Sequence, residues 1–186
     1  MSYAVDAAWI AIGVVWLVGA FHNKQTVRRL PAGRRVVHFL ILGVGFSFLM
    51  RRSLRIGPLA WRFVPDIGTV DLIGNALEIL GLAFAIWARL HLGRNWSAEP
   101  TLKQGHALIR GGPYAAVRHP IYSGLLLAIF GKALEHGDLA GLVGAAIFLV
   151  EWKRKSLIEE QFLLEQFGHE YARYRGEVKG LIPGVW

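Results

Sequence analysis

Five apolar stretches, each closed by arginine-, glycine- or proline-rich sequence, limit what this chain can fold into. They cover residues 3–21, 36–50, 70–89, 121–134 and 139–152. A helix rises about 1.5 Å per residue and a bilayer's hydrocarbon core is about 30 Å thick, so the first and third are long enough to span. The fourth and fifth are short and joined by Glu135-His136-Gly137-Asp138, which predicts a tight helical hairpin. Gly141, Gly144 and Ala145 offer it a smooth face for close helix approach. The apolar share is 54%, above the usual share of soluble domains. Seven tryptophans suit the headgroup zone. The expected fold is all-α and integral to a membrane, with about five transmembrane helices. An amphipathic helix from Lys153 to about Arg175 follows on the cytosolic side.

Charge supports the same reading. The net charge of +8 sits in clusters beside the apolar stretches, which points to topology and anionic headgroups rather than nucleic acid. Lys24, Arg28, Arg29, Arg34 and Arg35 lie between the first two stretches, and residues 90–120 and those after Trp152 are also basic. The 135–138 turn has no lysine or arginine. The positive-inside rule then puts the N-terminus outside and the C-terminus in the cytosol. One loop disagrees: Arg51, Arg52, Arg55 and Arg62 would face outward, and the loop is expected to lie along the headgroups. The first stretch lacks the basic start and small-residue cleavage site of a signal peptide and reads as a retained helix. There is no cysteine, which excludes disulfides, thiolate metal sites and cysteine nucleophiles. The histidines lack metal-ligand spacing with carboxylates, so no metal site is expected.

The polar groups fall in four places. Residues 111–124, GGPYAAVRHPIYSG, set a glycine pair, Tyr114, Arg118 and His119 at the mouth of the fourth apolar stretch, where charge is costly. Pro120 suits a first helical position, and the exposed N–H groups of that helix start are candidates to receive a carboxylate. Later, Glu160, Leu164, Phe167, Tyr171 and Tyr174 are spaced to share one helical face, with Glu159 rotated about 100° from Glu160. One carboxylate would then enter a pocket while its neighbour pairs with Arg154 or Lys155. In the third stretch, Asp71, Asn75, Glu78 and Arg89 share a face. An ionised Glu78 at that depth would cost roughly 2.5–3.5 kcal/mol, so pairing with His38, Arg51 or Arg52, or protonation, is expected. Its role is either an ion pair or a substrate contact. Finally, Arg94 could bind an anionic group at the interface and Trp96 could cover a lipid chain.

The runs 108–114 (LIRGGPY) and 118–124 (RHPIYSG) resemble the isoprenylcysteine carboxyl methyltransferases and their prokaryotic relatives. Glu159-Glu160, Phe167-Gly168, Glu170-Tyr171, Tyr174 and Ile182-Pro183 resemble that family's C-terminal block. The resemblance covers residues 90–183. It implies a catalytic region in residues 90–186, after the three N-terminal transmembrane helices that the apolar stretches place in residues 1–89. It also implies S-adenosylmethionine as cofactor, held without a Rossmann sheet, and a bacterial inner membrane as the location. By position, His119, Pro120 and Tyr122 would border the cofactor, with Arg110, Gly112 and Tyr114 nearby and Glu159 or Glu160 holding its amino or ribose groups. The aromatic stripe favours Glu160. Arg94 or Arg118 would orient a lipophilic or prenylated acceptor, most simply a carboxylate, and Glu78 is the third candidate for the reaction. The competing readings are an NADPH-dependent membrane reductase of related architecture and a non-catalytic membrane protein.

Overall fold

The computed structural model describes residues 3–21, 26–28, 32–93, 96, 102–103 and 108–184. Among these residues six α-helices carry the fold: α1 (Tyr3–Phe21), α2 (Ala32–Met50), α3 (Gly68–Leu92), α4 (Pro120–His136), α5 (Leu139–Phe167) and α6 (His169–Glu177). A feature absent from the sequence expectation is a short antiparallel ribbon, β1 (Thr26–Arg28) with β2 (Leu102–Lys103). Residues 33–50 and 68–92 are long and apolar enough to cross a membrane, and residues 3–19 form a shorter apolar helix.

The helical boundaries have local causes. Pro120 opens α4, where its missing N–H costs nothing. Gly137 ends α4 by accepting a left-handed conformation, and the Asp138 carboxylate then caps α5 by accepting from Gly141 N–H at 2.9 Å. The amphipathic segment is not separate from the fifth apolar stretch, as its composition suggested. α5 runs unbroken for 29 residues and carries Glu159 and Glu160 beyond its apolar half. It stops at Gly168, whose φ of 51° favours glycine. Tyr171 and Tyr174 therefore belong to α6, and the single five-residue face extrapolated from Glu160 does not exist.

The most extensive helix interface joins α3 to α4. It is lined by Gly74 and Gly81 on one helix and Gly124 and Gly131 on the other. A Cβ on Gly124 would lie 2.5 Å from Gly81 O, and one on Gly131 would lie 2.5 Å from Gly74 O. The backbones thus touch directly, as small residues allow in membranes. The smooth face expected for the α4–α5 hairpin is divided between two neighbours. Gly141 meets Ala133 of α4, whereas Gly144 meets Gly45 and Leu49 of α2.

Loop contacts establish two ends of the bundle. The β1–β2 ribbon ties the α1–α2 loop to the α3–α4 loop. At the other end, Phe63 N–H donates to Gly137 O and Leu139 N–H to Trp61 O, so the arginine-rich α2–α3 loop packs on the α4–α5 turn. This accounts for part of its unusual charge. Arg55 pairs with the buried Asp138 at 2.9 Å and Arg62 with Asp66 at 3.6 Å.

Glu78 is fully buried, but its partner is none of those expected. Trp9 Nε1 of α1 donates to it at 2.5 Å, while His38 of α2 contacts Glu151 of α5. Helix pairing decides this: α3 faces α1 and α4, whereas α2 faces α5. Gly81→Ala and Gly124→Ala are each expected to destabilise the protein by about 1–3 kcal/mol through overpacking. Gly13→Ala, which has open space around it, should not. Melting temperatures in detergent would decide between a backbone contact and incidental glycine usage.

Candidate functional site

At the end of the bundle that carries the ribbon side of α4, the chain brings two distant polar segments together. His119 precedes α4, and Glu159 and Glu160 lie in the extension of α5. The His119 ring stands between the two carboxylates, with Nε2 3.1 Å from Glu160 Oε1 and Nδ1 3.4 Å from Glu159 Oε2. Tyr122 OH, one helical turn into α4, donates to Glu159. The neighbouring carboxylates thus do not divide between a pocket and a partner on their own helix, although Lys155 lies within electrostatic reach of Glu159. Both turn toward His119, while Arg154 pairs with Glu151 instead.

Arg118 holds Glu160 from the other side. Its Nε and Nη2 donate to Glu160 Oε1 at 3.2 and 2.7 Å, and Nη1 donates to the carbonyls of Arg175 and Val178. Its backbone N–H donates to Lys179 O, and that of His119 to Gly180 O. Ser123 Oγ donates to Leu181 O at 2.6 Å. The C-terminal segment is therefore strapped across the start of α4. Two N–H groups expected to await a ligand are already satisfied by that segment.

The electrostatics follow from this crowding. Burial disfavours the charged form of His119, but hydrogen bonds and attraction from Glu159 and Glu160 outweigh it and raise its pKa. Burial also opposes ionisation of the glutamates. Hydrogen bonds from His119 and Arg118 nevertheless hold Glu160 down to about 2. His119 and the nearby Lys155 charge lower Glu159. A carboxylate thus faces each ring nitrogen of His119, an arrangement that favours the imidazolium form. The glutamates differ in access: the Glu159 side chain is 21% exposed and Glu160 8%.

Aromatic rings complete the site. His119 stacks on Tyr122 at 5.8 Å and 14°, and Tyr122 stacks on Trp152 at 5.9 Å and 10°. Lys155 Nζ lies 5.5 Å from the centre of the Tyr122 ring. Tyr114 is buried beside this group, with its carbonyl accepting from Tyr174 OH at 2.6 Å. Gly112 adopts φ of 57°, and a Cβ there would run into the His91 ring. Trp152 escaped the sequence reading of the site, and Lys155 entered it only as an ion-pair candidate for one glutamate. Their signal was helical spacing, since they precede Glu159 by seven and four residues.

The other sequence candidates lie elsewhere. Arg110 is on the surface, paired with Glu170 at 3.3 Å. Pro120 is buried at the first turn of α4. Glu78 is not among the groups touching His119; it lies eleven residues before Arg89, roughly 16 Å along α3. Arg94 falls outside the described residues.

A helical bundle with a charged, aromatic-lined cluster at one end and no nucleotide-binding sheet among the described residues defines the class. Residues 70–170, from the first turn of α3 to that of α6, match the phospholipid methyltransferase family, and the chain belongs to it. Among curated relatives, the chain is 25% identical over 172 residues to a probable protein-S-isoprenylcysteine O-methyltransferase of Oryza sativa subsp. indica. That alignment covers 91% of this chain and 87% of the relative. It is 37% identical over 102 residues to the protein-S-isoprenylcysteine O-methyltransferase of Schizosaccharomyces pombe, covering 52% of this chain and 42% of that one. The structure of a eukaryotic intramembrane Ras methyltransferase superposes with a TM-score of 0.56 at 24% identity. The match covers 84% of this chain and 54% of the longer solved chain. The apolar helices and the shared intramembrane fold make this chain an integral membrane protein.

The charge cluster has a definite pH signature. Glu160 lies below its ordinary value, so its stabilisation is full above about pH 4.5 and is lost as pH falls toward 2. His119 lies above its ordinary value, so its stabilisation is full below about pH 6.5 and is lost as pH rises through its raised pKa. Melting temperature against pH should peak between these limits. Glu160→Gln is expected to lower the peak and remove most of the acid-side slope; an unchanged slope would mean that other carboxylates govern acid unfolding.

Proposed function

We propose that the protein is an S-adenosylmethionine-dependent methyltransferase acting on a lipophilic acceptor at the cytosolic end of its helical bundle. The acceptor is most simply a carboxylate, as the names of the isoprenylcysteine O-methyltransferase relatives suggest. The observation that carries the reading is the convergence of His119, Tyr122, Glu159 and Lys155 around one stack of aromatic rings. Such a set fits a zwitterionic sulfonium nucleoside. Ring faces attract a sulfonium, Glu159 can accept from an ammonium, and Lys155 and His119 offer positive charge to a carboxylate. Two glutamates, one buried and one half-buried, suit the additional phosphate of NADPH poorly, which disfavours a reductase.

S-Adenosylmethionine would supply a methyl whose C–S bond breaks as a carboxylate lone pair forms the new O–C bond, leaving a thioether and a neutral ester with no proton to remove. The site's residues match that economy. Both ring nitrogens of His119 face carboxylates, so it is not a free general base. Its task is to hold Glu159 and Glu160 in position. Arg118 is committed to Glu160 and the C-terminal strap, and acts as a positioning residue rather than as the acceptor's partner. Of the two glutamates, Glu159 is the better cofactor contact, because Glu160 is shielded and already accepts from Arg118 and His119. The remaining contribution is alignment of donor and acceptor away from bulk water.

In this reading α1 to α5 all cross the membrane. The ribbon, the cluster and α6 face the cytosol, and the α2–α3 and α4–α5 connections face outward. Residues 90–186 carry most of the donor site, and Glu78 serves to join helices through Trp9. The decisive experiment is calorimetry of the detergent-solubilised protein with S-adenosylhomocysteine. Wild type should bind, Glu159→Gln should weaken binding by about tenfold or more, and Tyr122→Phe should weaken it less. Loss of binding no greater than the loss of folded protein would reduce the cluster to a structural element. No binding by folded wild type would end the assignment.

A further inference from the structure

One buried charge plays no part in the donor-side cluster. Arg89, in the last turn of α3, is 4% exposed. Arg55, Arg118 and Arg154 each meet a carboxylate, but among the described residues none pairs with Arg89. Its Nη1 donates to Gly93 O at 3.0 Å, its guanidinium carbon lies 4.3 Å from the centre of the Trp96 ring, and its Nε has no hydrogen-bond partner among the described residues. Burial of a guanidinium without an acid is costly, more so at a membrane. The chain nonetheless makes room for it. Any side chain on Gly19 of α1 would overlap the Arg89 Nη2 position.

The surroundings are apolar and aromatic. Trp96, Tyr114 and Ile121 form one buried cluster with Ala88, and Trp16 meets Trp96 edge-on at 6.0 Å. Tyr114 OH donates to the carbonyl of Ala88, the neighbour of Arg89, at 3.5 Å, and the same phenol is within electrostatic reach of both Arg89 and Glu159. Arg89 is therefore set in a greasy wall one tyrosine away from the donor cluster. Arg118, the other arginine near that cluster, has each of its three nitrogens engaged.

We propose that Arg89 binds the anionic group of the lipophilic acceptor, and that its charge restricts the enzyme to anionic acceptors while excluding amines. This rests on the methyltransferase reading. A guanidinium presents a planar fork that matches a carboxylate. In a low-dielectric wall the same charge repels an ammonium strongly. The family's breadth of acceptors would then be narrowed in this chain by one buried cation rather than by a catalytic base.

The test uses the full chain in detergent. An S-prenylated N-acetylcysteine and its primary amide are compared by tryptophan fluorescence, with S-adenosylhomocysteine affinity measured in parallel. Wild type is expected to bind the carboxylate about tenfold more tightly than the amide. Arg89→Gln should abolish that preference. Arg89→Lys, which keeps the charge and guards against misfolding, should retain part of it. S-Adenosylhomocysteine affinity should be unchanged in both variants. Equal binding of acid and amide by wild type, or a preference that survives Arg89→Gln, overturns the proposal. If the preference depends on Arg89 but S-adenosylhomocysteine does not bind, the anion site stands and the methyltransferase reading falls.

Discussion

The contact between the α3 and α4 backbones governs the rest of the architecture. In lipid there is little hydrophobic gain from pressing two apolar helices together, so close packing must supply the association. Four glycines, two on each helix, let the chains approach until carbonyl oxygens occupy the space of absent side chains. That approach fixes the line along which α4 runs and so the place of its first turn. His119, Tyr122 and Ser123 are positioned by this turn. A methyl group in the seam would therefore disturb the site, from about one helical turn away at Gly124 to about three turns away at Gly131.

On that frame the site is built by charge neutralisation. Buried carboxylates are tolerated because each finds a cation and a hydrogen-bond donor. Glu160 has Arg118 and His119; Glu159 has His119, Tyr122 and the field of Lys155. Arg118 also gathers the carbonyls that end α6, so the same side chain orders the cluster and straps the C-terminal segment over α4. A catalyst for methyl transfer to an already charged acceptor requires little more than such rigidity. The contrast with Arg89 is informative for that reason, since it is a buried cation that the fold leaves without an acid among the described residues.

Much of the fold was readable from residue order. The apolar stretches and the proline, glycine and aspartate between them marked α1 to α4 with small errors at the ends, and the start of α5. The basic loops after α1 and α3 anticipated that these connections share an end of the bundle, although the arginine-rich α2–α3 loop broke the charge pattern; the β1–β2 ribbon and the Trp61–Leu139 pairing hold the two ends together. The continuity of α5 was not readable, because a change from apolar to charged composition looks like a boundary even where helical hydrogen bonding continues. Gly168, rather than Lys153, was the true punctuation.

The site divided in the same way. Local sequence identified His119, Tyr122, Glu159 and Glu160 as worth attention, because polar groups at the mouth of an apolar helix are expensive to keep. It could not say that both glutamates turn to one imidazole, that Arg118 is consumed by the strap, or that Glu78 answers to Trp9 rather than to an arginine. Those are contacts between residues separated by roughly forty to seventy positions, and nothing in the spacing of one helix specifies the rotation of another. Periodicity and composition alone determined where helices form and which of their residues are costly. Helix packing decided which costly residues meet, because side-chain pairing depends on the rotation and depth at which two helices touch.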